Sequence, residues 1–360
     1  MTMRSLTRDE RGASLMLVAI SMVVCLGMAA LAIDVGMLYE AKAQAQNAAD
    51  SGALAGAGNL LVVPNNAASA TVVAERFAEL HEIIKQQVQV EPSADVQVDL
   101  GAQRVTVTAR RVTARGNAVP TYFAKILGWD VVDIQATATA EVQTASAASC
   151  LKPWAIPDAF DDRVAPIGEF NAGDYYEPRV TSWGTTYRSS NADFGTQLTL
   201  KAGSPGSAIA PGQYFPIDLP MPSGPTTGGA RYRENIASCN GQIVAIGDKV
   251  MTENGNMVGP TKQGVQALID LDPAARWDSS QGVVDSAFPP GASPRIGRVP
   301  MFDPRYPPTS GKQEITITNI AGFFIEGIAG NGRVTGRLVP TSGAGPANPG
   351  TLLNTVRLVR

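Results

Sequence analysis

The chain has 360 residues, a hydrophobic content of 44% and a formal net charge of −3. That length allows two ordinary domains and a substantial core, while the near-neutral balance leaves no basic excess to cover a phosphate backbone and so argues against a nucleic-acid partner. A single histidine, His81, leaves almost nothing for imidazole catalysis or imidazole metal ligation.

From Gly12 to Ile33 no residue is charged, a run of 22 residues. At about 1.5 Å per residue a helix of this length crosses the ~30 Å hydrocarbon layer of a bilayer. Arg4, Arg8 and Arg11 precede the run, and Lys42 is the only early cation beyond it. The positive-inside rule therefore predicts a cytoplasmic segment 1–11, a transmembrane helix 12–33 and a remainder outside the cytoplasmic membrane. A cleaved signal peptide, with Ala30-Leu31-Ala32 as its site, is the competing reading. Its apolar core is ordinarily only about 7–15 residues, shorter than this run. Lipoprotein processing at Cys25 is disfavoured by the bulky Val24 before it.

Beyond Asp34 the residues to about position 62 lack proline and are rich in Ala, Leu, Met, Lys, Glu and Gln, all good helix formers. The spacing predicts that the membrane helix runs on without a break as a helical extension over 34–62. Ala41, Ala45, Ala48, Gly52 and Ala55 recur at spacings of four and three, which puts small residues in one stripe and lets another backbone come close. Two readings of that stripe are open: a packing face for a partner subunit, or a seat for the next helix of the same chain.

These residues also carry a resemblance. Arg11-Gly12, the apolar run, Asp34-x-Gly36-x-x-Tyr39, then Gln46-Asn47-Ala48-Ala49-Asp50 leading into Ala53-Leu54-Ala55-Gly56-Ala57 resemble the N-terminal module of TadG-like Flp (tight adherence) pilus-assembly proteins, over about 11–58. Cys150-x-x-Pro153-Trp154 and Gly255-Asn256-x-x-Gly259-Pro260-Thr261 are similar to longer members. The resemblance implies a bacterial envelope protein of a tight-adherence pilus or related secretion system, with other pilus or secretion subunits and the membrane as partners. It implies helix-packing roles for Asp34, Gly36, Tyr39 and Asp50 beside the small stripe. Two departures matter. The fifth position after Gly12 is Leu17 rather than the Glu of a pilin-type processing site, and Asp278-Ser279-Ser280 lacks the spacing of the Asp-x-Ser-x-Ser loop of a von Willebrand A domain. Neither pilin-like processing nor that domain is expected.

Residues 65–148 read as a small α+β unit. Asn65 and Asn66 break the long helix, and Val72, Val73, Phe77, Leu80, Ile83 and Ile84 then follow a helical period over 68–87. His81 sits beside that face and reads as a surface or packing residue. Val96, Val98 and Leu100 alternate with polar residues, as do Val105 and Val107 after Gly101-Ala102-Gln103, which is a hairpin signal. Pro120 to Leu127 suits a short helix closed by Gly128, and Val132-Asp133-Ile134 leads into the alternating run ATATAEVQT.

Residues 150–360 hold 27 of the 36 glycines and 22 of the 25 prolines, a turn-former density near that of disordered tracts. Strand-like runs nevertheless recur at 242–246, 314–320, 323–328, 334–339 and 352–359, so the expectation is a folded, loop-rich, mostly-β ectodomain. One helix, Thr261 to Asp270, presents Val265, Leu268 and Ile269 on one face and ends before Pro273. The whole chain thus reads as α+β: a long N-terminal helix, a small α+β unit and a β ectodomain. If that half is exported, one disulfide between Cys150 and Cys239 is the simple reading, with two buried free thiols as the other. A bridge closing so long a loop contributes about 4 kcal/mol in the chain-entropy model.

Searching for chemistry returns negatives. Gly330-Asn331-Gly332-Arg333-Val334-Thr335-Gly336 lies between two strand-like runs and has the wrong last spacing for a nucleotide loop, so a hairpin turn is expected. Gly311-Lys312 is followed by Gln313, His81-Glu82 lacks the second histidine of a zinc-protease helix, and no G-x-S-x-G elbow occurs. No enzyme activity, cofactor or small-molecule substrate is expected. Two clusters keep alternatives open. Asp158, Asp161 and Asp162, with Asp174 nearby, form either a solvated loop or a Ca²⁺ site. Tyr175, Tyr176, Trp183, Tyr187 and Phe194 form either sheet packing or a carbohydrate-binding platform, the basis of an alternative reading as an anchored adhesin-like binding module.

Overall fold

The computed structural model describes residues 11–63, 65–158, 160–161, 175–176, 194–195, 197–206, 213–220, 228–303, 306–348 and 351–359, with the side chains of 11–13, 160–161 and 175–176 excepted. Helix α1 is one uninterrupted rod, Arg11–Val62, of 52 residues, roughly 78 Å at 1.5 Å per residue. The absence of proline and the abundance of alanine in its second half permit this length. From Ser14 to Ile33 it stands clear of the other described residues, with only Ala30 half-buried. From Asp34 onward one face is buried.

Asn66 starts helix α2 (Ala67–Glu79) by accepting the Ser69 amide at 2.9 Å, a side-chain cap on an otherwise unpartnered donor. The helix stops well short of the expected 68–87. Ile84 and Lys85 take positive φ (46° and 57°) at the turn of a two-stranded hairpin that joins Glu82–Ile83 to Gln86–Gln87. The buried face also differs from the expectation. Ala70, Ala74 and Ala78 are buried, while Val72 and Leu80 are 61% and 70% exposed and Phe77 is exposed as well. The physical reason is distance: a helix lying close against α1 must present its smallest side chains.

Strands β1 (Val96–Asp99), β2 (Arg104–Arg111) and β3 (Ile134–Thr144) form an antiparallel meander, Val96 opposite Val107 and Val105 opposite Ala140. Alternation divides its faces. Val105, Val107, Ala109, Ala136, Ala138 and Ala140 share a core with α1 and α2. On the other face, hydroxyl pairs Thr106–Thr139 (2.9 Å) and Thr108–Thr137 (3.0 Å) link the strands. The segment expected as a short helix over 120–127 is a 3-10 turn, Ala124–Leu127, closed by Gly128 at φ 87°.

The next unit is β-barrel-like. Strands β4 (Trp154–Pro157), β5 (Gln197–Ala202), β6 (Gln213–Asp218), β7 (Lys249–Thr252), β8 (Ile296–Phe302), β9 (Glu314–Thr316), β10 (Asn319–Ile328) and β11 (Val334–Val339) join in one sheet of order β5-β11-β10-β8-β4-β6-β7-β9. A further parallel pairing, Lys201 with Gln213, links β5 to β6 and closes six strands into a ring. Helices α3 (Gly228–Ala237) and α4 (Val258–Leu271) pack Tyr232, Ile236, Val265 and Leu268 onto a core that includes Trp154, Tyr214, Met301 and Phe323. The expected hairpin turn near Gly332 joins β10 to β11, with Gly332 at φ 78°. Cys150 and Cys239 are disulfide-bonded across 89 residues of sequence, tying the start of the barrel to the end of α3.

The chain then turns back. Strands β12 (Thr341–Ser342) and β13 (Leu353–Val359) add to the first sheet, giving the order β12-β13-β3-β2-β1, with Val356 opposite Val142. A division at 148–150 therefore misplaces the last strand. The two units are interleaved, because the small sheet takes its outer strands from the end of the chain.

Candidate anchoring and docking site

Helix α1 changes character at Asp34. Its last apolar turns, including Leu31 and Ile33, are exposed, yet Asp34 itself is only 1% exposed. The Asp34 carboxylate accepts the backbone N–H groups of Tyr122 (2.9 Å), Phe123 (2.8 Å) and Ala124 (2.5 Å). These amides open the 3-10 turn Ala124–Leu127 and have no partner within it, so one carboxylate satisfies three donors at a helix-type N-terminus. Further along α1, Lys42 Nζ donates to the Gln135 carbonyl, and Gln44 Oε1 accepts the Ile84 amide at 2.7 Å. Three polar side chains thus fasten the small unit to the helix.

Ala41, Ala45, Ala48 and Gly52 are buried and Ala55 is half-buried. A methyl group on Gly52 would stand 2.9 Å from the Ala74 carbonyl oxygen and 3.0 Å from the Ala78 Cβ. One on Gly56 would stand 2.8 Å from Val105 Cγ1. Where the stripe is buried it is filled by α2 and the sheet of the same chain. This corrects the reading of it as an open face for a partner: the residues are small because the chain's own backbone comes close. The polar positions lie differently. Asp50 accepts from the Gln46 side-chain amide at 2.7 Å, no other described residue comes within 4 Å of where a methyl on Gly36 would stand, and Tyr39 is 75% exposed.

The acidic and aromatic clusters do not assemble a site in what is described. Asp158 is buried and accepts the Thr318 hydroxyl at 3.0 Å. The side chains of Asp161, Asp162 and Asp174 lie outside the described residues, as do those of Tyr175, Tyr176, Trp183 and Tyr187. Phe194 packs on the barrel core. Among the described residues no group of three or more His, Cys, Asp or Glu side chains converges as metal ligands would.

Beside the disulfide, Lys152 is buried and donates to the Ile236 carbonyl. Burial, with Arg298 nearby adding repulsion, pulls its ammonium pKa down to about 8. What sequence reasoning missed is the segment after Pro120. Tyr122, Phe123, Ile126, Leu127, Trp129 and Val131 are all exposed. Their signal was an apolar string with no polar face to alternate against, read simply as a short helix.

Among the described residues one helix, near the N-terminus, is long and apolar enough to cross a membrane, and polar side chains fasten it to an α+β body. Residues 12–59 match the family model Tad, described as putative Flp pilus-assembly TadE/G-like. The matched stretch is the part of α1 that carries the apolar run, Asp34 and the small stripe. No curated protein and no solved structure shows a significant match to the chain.

Proposed function

We propose that the protein is a membrane-anchored, non-catalytic assembly or scaffold component of a Flp/Tad pilus or related secretion system. In this reading residues 12–33 span the bacterial cytoplasmic membrane, the N-terminus is cytoplasmic, and everything beyond Asp34 lies on the outer side. One observation carries it. The 48 residues that match the pilus-assembly family are the same residues that form a bare apolar rod below Asp34 and a packed helix above it. An apolar helix whose lower half none of the described residues covers calls for an apolar surrounding, and the three arginines before the apolar run favour the inside orientation. Partner subunits then meet surfaces that the fold leaves outward, Tyr39 first among them, since the buried stripe is already filled.

Two measurements test this. Protease added to intact spheroplasts should digest the chain beyond Tyr39; protection of that portion overturns the orientation. Deleting the gene should abolish piliation, and the wild-type copy should restore it, while Tyr39→Ala should weaken co-purification of pilus subunits from detergent extracts. Normal pili in the deletion strain would sink the assembly role.

A further inference from the structure

The segment 122–131 is closed at its base by the pairs Val119–Val132 and Pro120–Val131 and by the Thr121 amide donating to the Asp130 carbonyl at 3.0 Å. It projects Tyr122, Phe123, Ile126, Leu127 and Trp129, with Ile126 80% and Trp129 65% exposed. Lys125 is exposed among them. Five large apolar side chains on one short loop form a patch of a kind that soluble surfaces rarely carry without a use.

Its position says what covers it. Along α1, Lys42 meets Gln135 and Asp34 meets residues 122–124. Moving from the first contact to the second descends eight residues, about 12 Å along the helix axis. Among the described residues nothing else is held lower, since α1 before Asp34 is bare. Asp34 is also the first residue after the uncharged run. The loop is therefore fixed at the level where the apolar rod ends, at Asp34, whose chain neighbours Ile33 and Val35 are themselves exposed. Tryptophan and tyrosine favour the headgroup layer, where a ring is half greasy and half wet. A lysine there keeps its stem in apolar surroundings and its ammonium at phosphate level.

We infer that residues 122–131 form an interfacial foot, seated in the headgroup layer of the bilayer that holds α1, with Asp34 as the bolt that sets its height. The occupant of the patch is lipid at the headgroup–acyl boundary. The foot would limit tilting of the ectodomain about the helix, because a rod that enters the membrane at one point acquires a second contact beside it. This rests on the reading of 12–33 as a membrane span.

The test uses the full chain in vesicles of phosphatidylethanolamine and phosphatidylglycerol, with Cys25→Ser so that the bridged pair Cys150–Cys239 leaves no free thiol. An environment-sensitive fluorophore is placed by Ile126→Cys, Val72→Cys or Val23→Cys in separate proteins. Val72 is exposed on α2, whose Ala74 and Ala78 lie against Gly52, about 27 Å along α1 from Asp34; Val23 lies inside the span. The expected result is a blue shift and a loss of aqueous quenching at position 126, with quenching by headgroup-proximal lipid quenchers. Position 72 should stay fully open to the aqueous quencher, and position 23 should be quenched only from within the lipid. If 23 is lipid-quenched and 126 behaves like 72, the foot is overturned while the anchor stands. A label at 126 shielded from water yet untouched by lipid quenchers would mean that protein covers the loop, which also overturns it. Aqueous quenching at 23 would bring down the anchor and the foot together.

Discussion

The two cores of this molecule are packed by opposite means. Where α1, α2 and the small sheet meet, the buried side chains include Ala41, Ala45, Ala48, Ala53, Ala70, Ala74, Ala78, Ala136 and Ala138 beside larger Leu60, Val105 and Val107, with Gly52 and Gly56 at the closest approach. In the barrel they are Trp154, Tyr214, Tyr232 and Phe323, with Phe215 and Phe302 in edge contact at 5.6 Å on its other face. The first core is backbone against backbone, with no room for added atoms. The second is a closed ring filled by large side chains, with none to spare. The proposed anchoring accounts for the difference. In that reading α1 leaves a membrane and is gripped along its length by a thin layer, and small residues let α2 and a sheet lie against one face. The barrel is filled instead by large side chains from its own strands and from the helices α3 and α4.

The comparison breaks most visibly if the barrel tolerates deletion. Phe323→Ala removes a fully buried ring and should cost about 3–5 kcal/mol, read as a lower urea midpoint of the detergent-solubilised protein. A loss below about 1 kcal/mol would mean that the barrel collapses around the gap more easily than native packing density allows. The next effect is electrostatic and also belongs to the barrel. Lys152 has its folded pKa pulled from 10.5 to about 8, first by burial and then by Arg298. Between those values the unfolded chain binds more protons, so stability rises with pH. From about pH 7.5 to about pH 10 the native protein should gain about 2 kcal/mol relative to Lys152→Met, whose profile lacks that proton. Parallel profiles for the two proteins would show that the ammonium is not confined as the geometry has it.

Much of the architecture was legible where periodicity is local. The unbroken helix to position 62, the hairpin around Gly101, the alternating ATATAEVQT strand and the helix expected over 261–270, which runs over Val258–Leu271, all follow from neighbours in sequence. The readings that failed depended on distance in space. In α2 the larger residues Val72, Phe77 and Leu80 suggested the buried face, but the close approach of α1 selected Ala70, Ala74 and Ala78. Barrel closure rests on Lys201 meeting Gln213, and the strand that joins the small sheet beside β3 comes from 353–359; no local pattern announces either pairing. The site was half legible. Asp34 stood out from its place in a family-like pattern, but its amide partners lie 88 to 90 residues away. Nothing in the string around Tyr122 names them.

The sharpest test of the first core uses two glycines on the same helix. At Gly56 a methyl group would press into Val105 at 2.8 Å and Ala74 at 3.0 Å, whereas at Gly58 nothing lies within 4 Å. Gly56→Ala should therefore cost about 1–2 kcal/mol, toward the lower end of overpacking because only one methyl is added. Gly58→Ala should instead stabilise by about 0.5–1 kcal/mol, since alanine loses less backbone freedom in a helix interior. Both substitutions raise helix propensity equally and sit two positions apart, so the difference in sign isolates packing from propensity. If urea midpoints of the two variants move the same way, α1 is not seated against α2 and the sheet as closely as described. The small residues of the matched family segment would then need a reason outside this chain, and a partner helix on that stripe would again be the first place to look.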